Sequence, residues 1–107
     1  MPRPKRRRRI MSRPAVDTFG PETASQREGI ILSLEEFEAI RLIDYDGMDQ
    51  SGAAEVMGVS RQTVGRILKA GRSKVAMALV EGRGLKVSGG CYKIRGRGRC
   101  GRGRRNR

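Results

Sequence analysis

Histidine and tryptophan are absent from this 107-residue chain, four aromatic residues occur in all, and cysteine appears only at Cys91 and Cys100. Without histidine the chain lacks the side chain that most often serves as general base, proton shuttle or zinc ligand near neutral pH. Two cysteines nine positions apart, with no Cys-x-x-Cys, cannot supply four zinc ligands from one chain. They read as free thiols of a reducing compartment, with a metal shared between two chains or a redox pair in the tail as the alternatives. No long hydrophobic run occurs either: the longest, Val75 to Val80, is far shorter than the roughly 20 residues that span a bilayer. The basic N-terminus has no apolar segment behind it, so no secretory leader is read there. The expected location is the cytoplasm, in association with the nucleoid.

These absences also argue against an enzyme. The remaining candidates, Glu35, Glu36, Glu38, Asp44, Asp46 and the two thiols, fall where helix capping and solvated helix faces account for the carboxylates. No catalytic residue, metal or cofactor is expected.

What the chain has in excess is positive charge: 24 Lys and Arg against 11 Asp and Glu, a formal net charge of +13. A polyanion is the natural partner, because each cation placed near a phosphate releases a condensed counterion. The charge is unevenly spread. Residues 1 to 13 hold seven basic and no acidic residues, residues 82 to 107 hold ten and none, and the middle holds seven basic and eleven acidic. A nearly neutral domain between two cationic arms is the pattern of a folded reader with sequence-blind tethers.

Residues 1–14 read as a disordered basic arm, because Lys5-Arg6-Arg7-Arg8-Arg9 repels itself and offers little to bury. Residues 15–31 read as a connector in which Phe19 packs on the domain. Leu32 to Gly47 reads as the first helix, with Ser33 and Glu36 forming a capping box and Leu34, Phe37, Ile40, Leu42 and Ile43 making its apolar face. Asp49 caps a short second helix, Gln50 to Met57. Gly58, Val59 and Ser60 follow, and a third helix runs from the Ser60 cap to about Glu81.

That spacing is a helix-turn-helix. Ala53 and Ala54 let two helices cross closely, Gly58 tolerates the positive φ of the turn, Val59 plugs the turn, and Val64 and Ile67 lie beneath the second helix of the pair. At about 100° per residue, Val64, Ile67, Leu68, Gly71, Val75, Ala78 and Leu79 share one side of the third helix. Gln62, Arg66, Lys69 and Ser73 share the other, flanked by Arg61 and Arg72 on one edge and Thr63 and Lys74 on the opposite edge. Glu28 to Met57 holds eight acids and one base, whereas Gly58 to Val80 holds five bases and no acid. The third helix is therefore the basic side. Residues 83–94, with two alternating runs around Ser88-Gly89-Gly90, read as a short hairpin, and residues 95–107 as a disordered Arg/Gly-rich tail.

Met1-Pro2-Arg3-Pro4-Lys5, Leu32 to Leu42, Ala53 to Leu68 and Gly89-Gly90 together resemble the small prokaryotic family called domain of unknown function 134, over residues 1 to about 94. The resemblance implies a mainly α fold of the winged-helix and homeodomain-like kind, with a helix-turn-helix similar to region 4 of sigma-70-type sigma factors, which reads a promoter element in the major groove. Val59 to Val64 is the stretch most similar to the sigma recognition helix. Arg7 stands where the family often carries a cysteine. Gly52 and Gly71 replace better helix formers, which implies softer helices.

In that frame Gln62 and Arg66 are the expected base readers, since Gln pairs bidentately with adenine and Arg with guanine. Ser60, Arg61, Thr63, Lys69, Arg72 and Lys74 are the expected DNA-backbone contacts, with Ser60 also serving as a cap. The expected function is sequence-specific binding of double-stranded DNA by a transcriptional regulator. Two alternatives stand beside it: an RNA- or DNA-binding protein dominated by its arms, and a module that contacts RNA polymerase. A homodimer, formed through the first helix or the Gly89-Gly90 region, is a further expectation.

Overall fold

The computed structural model describes residues 8–11, 13–22, 28–90, 92–94 and 97–99; for the last two segments it describes the strands and their pairing alone. Residues 1–7 of the basic arm, Cys91, Cys100 and most of the Arg/Gly tail lie outside the described residues. The chain is mainly helical with small strands, as expected: β1 (Arg8–Ile10), β2 (Thr18–Phe19), β3 (Ile30–Leu32), α1 (Leu34–Ile40), a π-helical turn (Arg41–Tyr45), α2 (Gln50–Met57), α3 (Arg61–Glu81), β4 (Leu85–Val87), β5 (Tyr92–Ile94) and β6 (Arg97–Arg99).

The helix starts follow from local hydrogen bonds. Ser33 Oγ accepts from the Glu36 N–H at 3.1 Å while the Glu36 carboxylate accepts from the Ser33 N–H at 2.9 Å, closing the capping box. Asp49 caps α2 through the Gly52 N–H at 2.7 Å. Past Ile40 the first helix widens, so that the Asp46 N–H donates to the Arg41 carbonyl five residues back at 2.8 Å.

Two apolar clusters hold the elements together. Ala39, Leu42, Ala53, Ala54, Met57, Val64, Ile67 and Leu68 are buried where α1, α2 and α3 meet. Ile10, Leu32, Leu34 and Val87 are buried where the strands meet α1, with Phe37, Val75 and Leu85 against them.

The strands correct three expectations. Arg8–Ile10, read as part of a mobile arm, pairs in parallel with β5 and buries Ile10 to 2% exposure. Residues 83–94 do not form a hairpin: β4 pairs antiparallel with β2 and parallel with β3, while β5 belongs to a second sheet of order β1-β5-β6. Arg97–Arg99, read as disordered tail, is antiparallel to β5. Each of these strands is two or three residues long, and all but β6, which pairs with its neighbour β5, are secured by partners distant in sequence, which no local pattern reveals. The connector is likewise structured where it meets β4, with Phe19 opposite Leu85.

Gly89 and Gly90 serve the first helix. The Leu34 N–H donates to the Gly89 carbonyl at 3.0 Å, and a Cβ on Gly90, whose φ is +97°, would fall 2.8 Å from Ser33 Cβ. The glycine pair lets the chain lie against the α1 N-terminus, so the contact there is internal.

Candidate nucleic-acid interface

The turn between α2 and α3 rests on Gly58, at φ +70° and ψ +35°, in the left-handed region that costs other residues energy. Its N–H donates to the Ala54 carbonyl at 2.8 Å, and the Val59 N–H donates to the same carbonyl at 3.1 Å. Ser60 then starts α3, its Oγ accepting from the Thr63 N–H at 3.0 Å and donating to Thr63 Oγ1 at 2.9 Å. Ala53, Ala54, Val64 and Ile67 are buried together, and Val59 packs against them half-buried. The crossing of α2 and α3 therefore has small residues on one helix and β-branched ones on the other.

The outward face of α3 carries Gln62, Arg66, Lys69 and Ser73, all exposed, with Arg61 exposed and Thr63 half-buried at its N-terminal end. The cationic residues of α3 fall into two groups. Among the described residues no carboxylate pairs with Arg61, Arg66 or Lys69. Arg72 and Lys74, by contrast, are claimed by the first helix and the turn that extends it. Arg72 Nη2 stands 2.6 Å from Asp44 Oδ1, and Lys74 Nζ stands 2.8 Å from Glu36 Oε1, an atom that also closes the capping box. These two are among the expected backbone contacts, and in the structure their charges are paired inside the chain. The hydrogen bond from Arg72 holds the Asp44 carboxyl below its ordinary value, aided by the positive charge.

Two other features of the site have no local sequence signal. Arg9, from β1, reaches the C-terminal end of α2: Nη2 donates to the Glu55 carbonyl at 2.9 Å and Nε to the Val56 carbonyl at 3.2 Å. A cation there complements the negative end of the α2 dipole. Glu38, wholly buried, accepts from Arg41 Nε at 3.0 Å, from Arg41 Nη2 at 2.9 Å and from the Met11 N–H at 3.2 Å. That bidentate hydrogen bond raises the Arg41 pKa further, against the opposing effect of burial. Through Arg9 and Met11 the N-terminal strand is fastened to both helices that support α3. Gln50, at the start of α2, lies over α3 at Gly65, where a Cβ would stand 3.2 Å from Gln50 Oε1.

Among the described residues no three His, Cys, Asp or Glu side chains come together to hold a metal ion. No described helix is long and apolar enough to cross a membrane.

Comparison with known proteins agrees with the resemblance read from the motifs. The chain is 51% identical over 92 residues to a UPF0251 protein of Methanothermobacter thermautotrophicus, covering 86% of this chain and 49% of that protein. It is 51% identical over 89 residues to a UPF0251 protein of Aeromonas salmonicida, covering 81% and 87% respectively. It is 47% identical over 94 residues to one from Ruminiclostridium cellulolyticum, covering 88% and 73%. The chain thus spans about half the length of the Methanothermobacter relative. No solved structure matches it. Residues 1–95 match the family described as Protein of unknown function DUF134, and the chain belongs to that family.

Proposed function

We propose that this chain binds double-stranded DNA sequence-specifically, with α3 in the major groove, and acts in the cytoplasm as a transcriptional regulator. The observation that carries this reading is the division of charge along α3. Arg61, Arg66 and Lys69 are exposed and have no carboxylate partner among the described residues, and they stand with Gln62 on the N-terminal half of a helix launched from a tight left-handed turn. A cationic face with a bidentate hydrogen-bonding residue near the helix N-terminus suits base edges and flanking phosphates. Gln62 and Arg66 are assigned base contacts; Ser60, Arg61, Thr63 and Lys69 are assigned phosphates. Thr63 Oγ1, which accepts from Ser60, keeps its own proton free to donate outward.

The test is selection from random duplex DNA at about 0.2 M salt, where contacts to phosphate alone are suppressed. The expected result is one enriched motif for the full chain and its loss in Gln62→Ala/Arg66→Ala. Equal binding to all duplexes and to RNA would overturn the reading in favour of binding dominated by the arms. Enrichment left intact by the double substitution would reassign the reading residues.

A further inference from the structure

We propose that the C-terminal end of α3 is a self-association surface that pairs this chain with a second copy of itself. Val75-Ala76-Met77-Ala78-Leu79-Val80 is apolar all the way around the helix, a pattern that belongs in a buried helix rather than on a surface. Only one side of it is covered. Ala78 is buried and Val75 half-buried against the strands, but Leu79 is 78% exposed and Val80 85%. Leu79, which the helical period assigns to the core side, borders an open groove with Phe19, Gly82 and Leu85 and so stays exposed.

Leu79 is itself one wall of this open apolar groove of about 350 Å³, shared with Phe19, Pro21, Val75, Leu85 and, at its edge, Arg83. Phe19 is itself 53% exposed. One surface therefore carries both a groove and, in the neighbouring Val80, a protruding apolar side chain able to enter the groove of a copy, the self-complementarity that a two-fold interface requires.

Charge selects the occupant. A chain of net charge +13 repels its own copies over most of its surface, yet residues 75–82 hold one acid and no base. Arg83 on the rim is spoken for by Glu81 at 3.1 Å and by the Glu28 carbonyl at 2.8 Å. This is where a second copy can approach without opposing charge.

The spacing also fits, and this step rests on the reading of α3 given above. Leu79 lies fifteen residues beyond the centre of the Gln62–Arg66 segment, about 22 Å along the helix. Two chains related by a two-fold axis near Leu79 hold their reading segments about 45 Å apart with collinear helices. With axes meeting near 100° the separation is about 34 Å, one turn of DNA.

The experiment is sedimentation equilibrium of the full chain at 1 to 100 μM, without DNA, for the wild type, Leu79→Glu and Val80→Glu. Both side chains are exposed, so the variants are expected to keep the wild-type circular dichroism and melting temperature. The wild type is expected to reach twice the 11.9 kDa chain mass, and each variant to dissociate at least tenfold more readily. A wild type that stays at 11.9 kDa at 100 μM, or a Leu79→Glu chain that associates as the wild type does, overturns the proposal. Selection on Leu79→Glu keeps the two readings apart: a single enriched half-site with monomeric protein supports both, whereas a two-fold site bound by monomers overturns the dimer and leaves the DNA reading standing.

Discussion

The guanidinium of Arg9 lies over Gly58: a Cβ added to that glycine would fall 2.9 Å from Arg9 Nε and 3.1 Å from Arg9 Cζ. The strand before the helices thus touches the turn from which α3 departs, and the same guanidinium closes the last carbonyls of α2. Gly58→Ala is expected to suffer twice, from the left-handed backbone, at about 1–2 kcal/mol, and from displacement of Arg9. A loss of that size lowers the melting temperature of a domain this small by roughly 5–15 °C. Arg9→Ala alone is expected to cost about 0.3–1 kcal/mol through the α2 dipole. In a double-mutant cycle the two costs should fall short of additivity, because the second substitution removes the group that the first displaces. Strict additivity in thermal melts would mean that Arg9 and Gly58 act independently.

Glu38 is the one carboxylate wholly buried in the described chain, and three donors meet it. Glu38→Gln keeps the shape but weakens the bidentate bond to Arg41 and turns one acceptor into a donor. The expected cost is about 1.5–3 kcal/mol, the range for hydrogen bonds to charged groups, read from urea denaturation. Arg41→Ala should cost at least as much, since it leaves the carboxylate buried with only the Met11 N–H.

Acid should loosen the contact between the α1 extension and α3. The Arg72 hydrogen bond lowers the Asp44 pKa in the folded chain, so the pair contributes stability above the unfolded aspartate value of about 3.9. That contribution is lost as pH falls through the lower folded value. Asp44→Asn should leave a chain whose melting temperature depends less on pH below about 4. Because the pair is exposed, the difference should shrink further in high salt. An unchanged acid profile in Asp44→Asn would show that the pair contributes nothing in solution.

The parts legible in the sequence are those with local causes. Ser33 with Glu36, Asp49, Gly58 and Ser60 act within four residues of themselves, and each stands where its spacing places it. The strands were not legible as a topology, because Arg8 finds its partner at Tyr92 and Ile30 finds Leu85. Alternation marks 85–87 and 92–94 as extended without naming their partners. Arg72 and Lys74 illustrate the limit at the site: a helical wheel gives their direction on α3 but not the presence of Asp44 and Glu36 across the gap. Gly71, read from the resemblance as a softening of α3, is instead a close approach. A Cβ there would stand 3.1 Å from Ile40 Cδ1 and 3.2 Å from Glu36 Cβ, where α1 crosses α3.

The division of charge on α3 yields the prediction that bears most directly on function. Arg66→Ala is expected to cost about 1–3 kcal/mol on the selected site and far less on unrelated duplexes, because it removes a base contact. Lys69→Ala should weaken binding by a similar factor on every duplex and reduce the slope of log K against log salt by about 0.9, one phosphate contact's share. Arg72→Ala should do neither, since its guanidinium is held by Asp44, and its effect should appear in the melting temperature instead. Fluorescence anisotropy across a salt series, with one specific and one unrelated duplex, separates the three outcomes. A full unit of salt slope lost in Arg72→Ala would mean that DNA draws the guanidinium away from Asp44, and that the face reaches a turn further along α3 than the free cations mark.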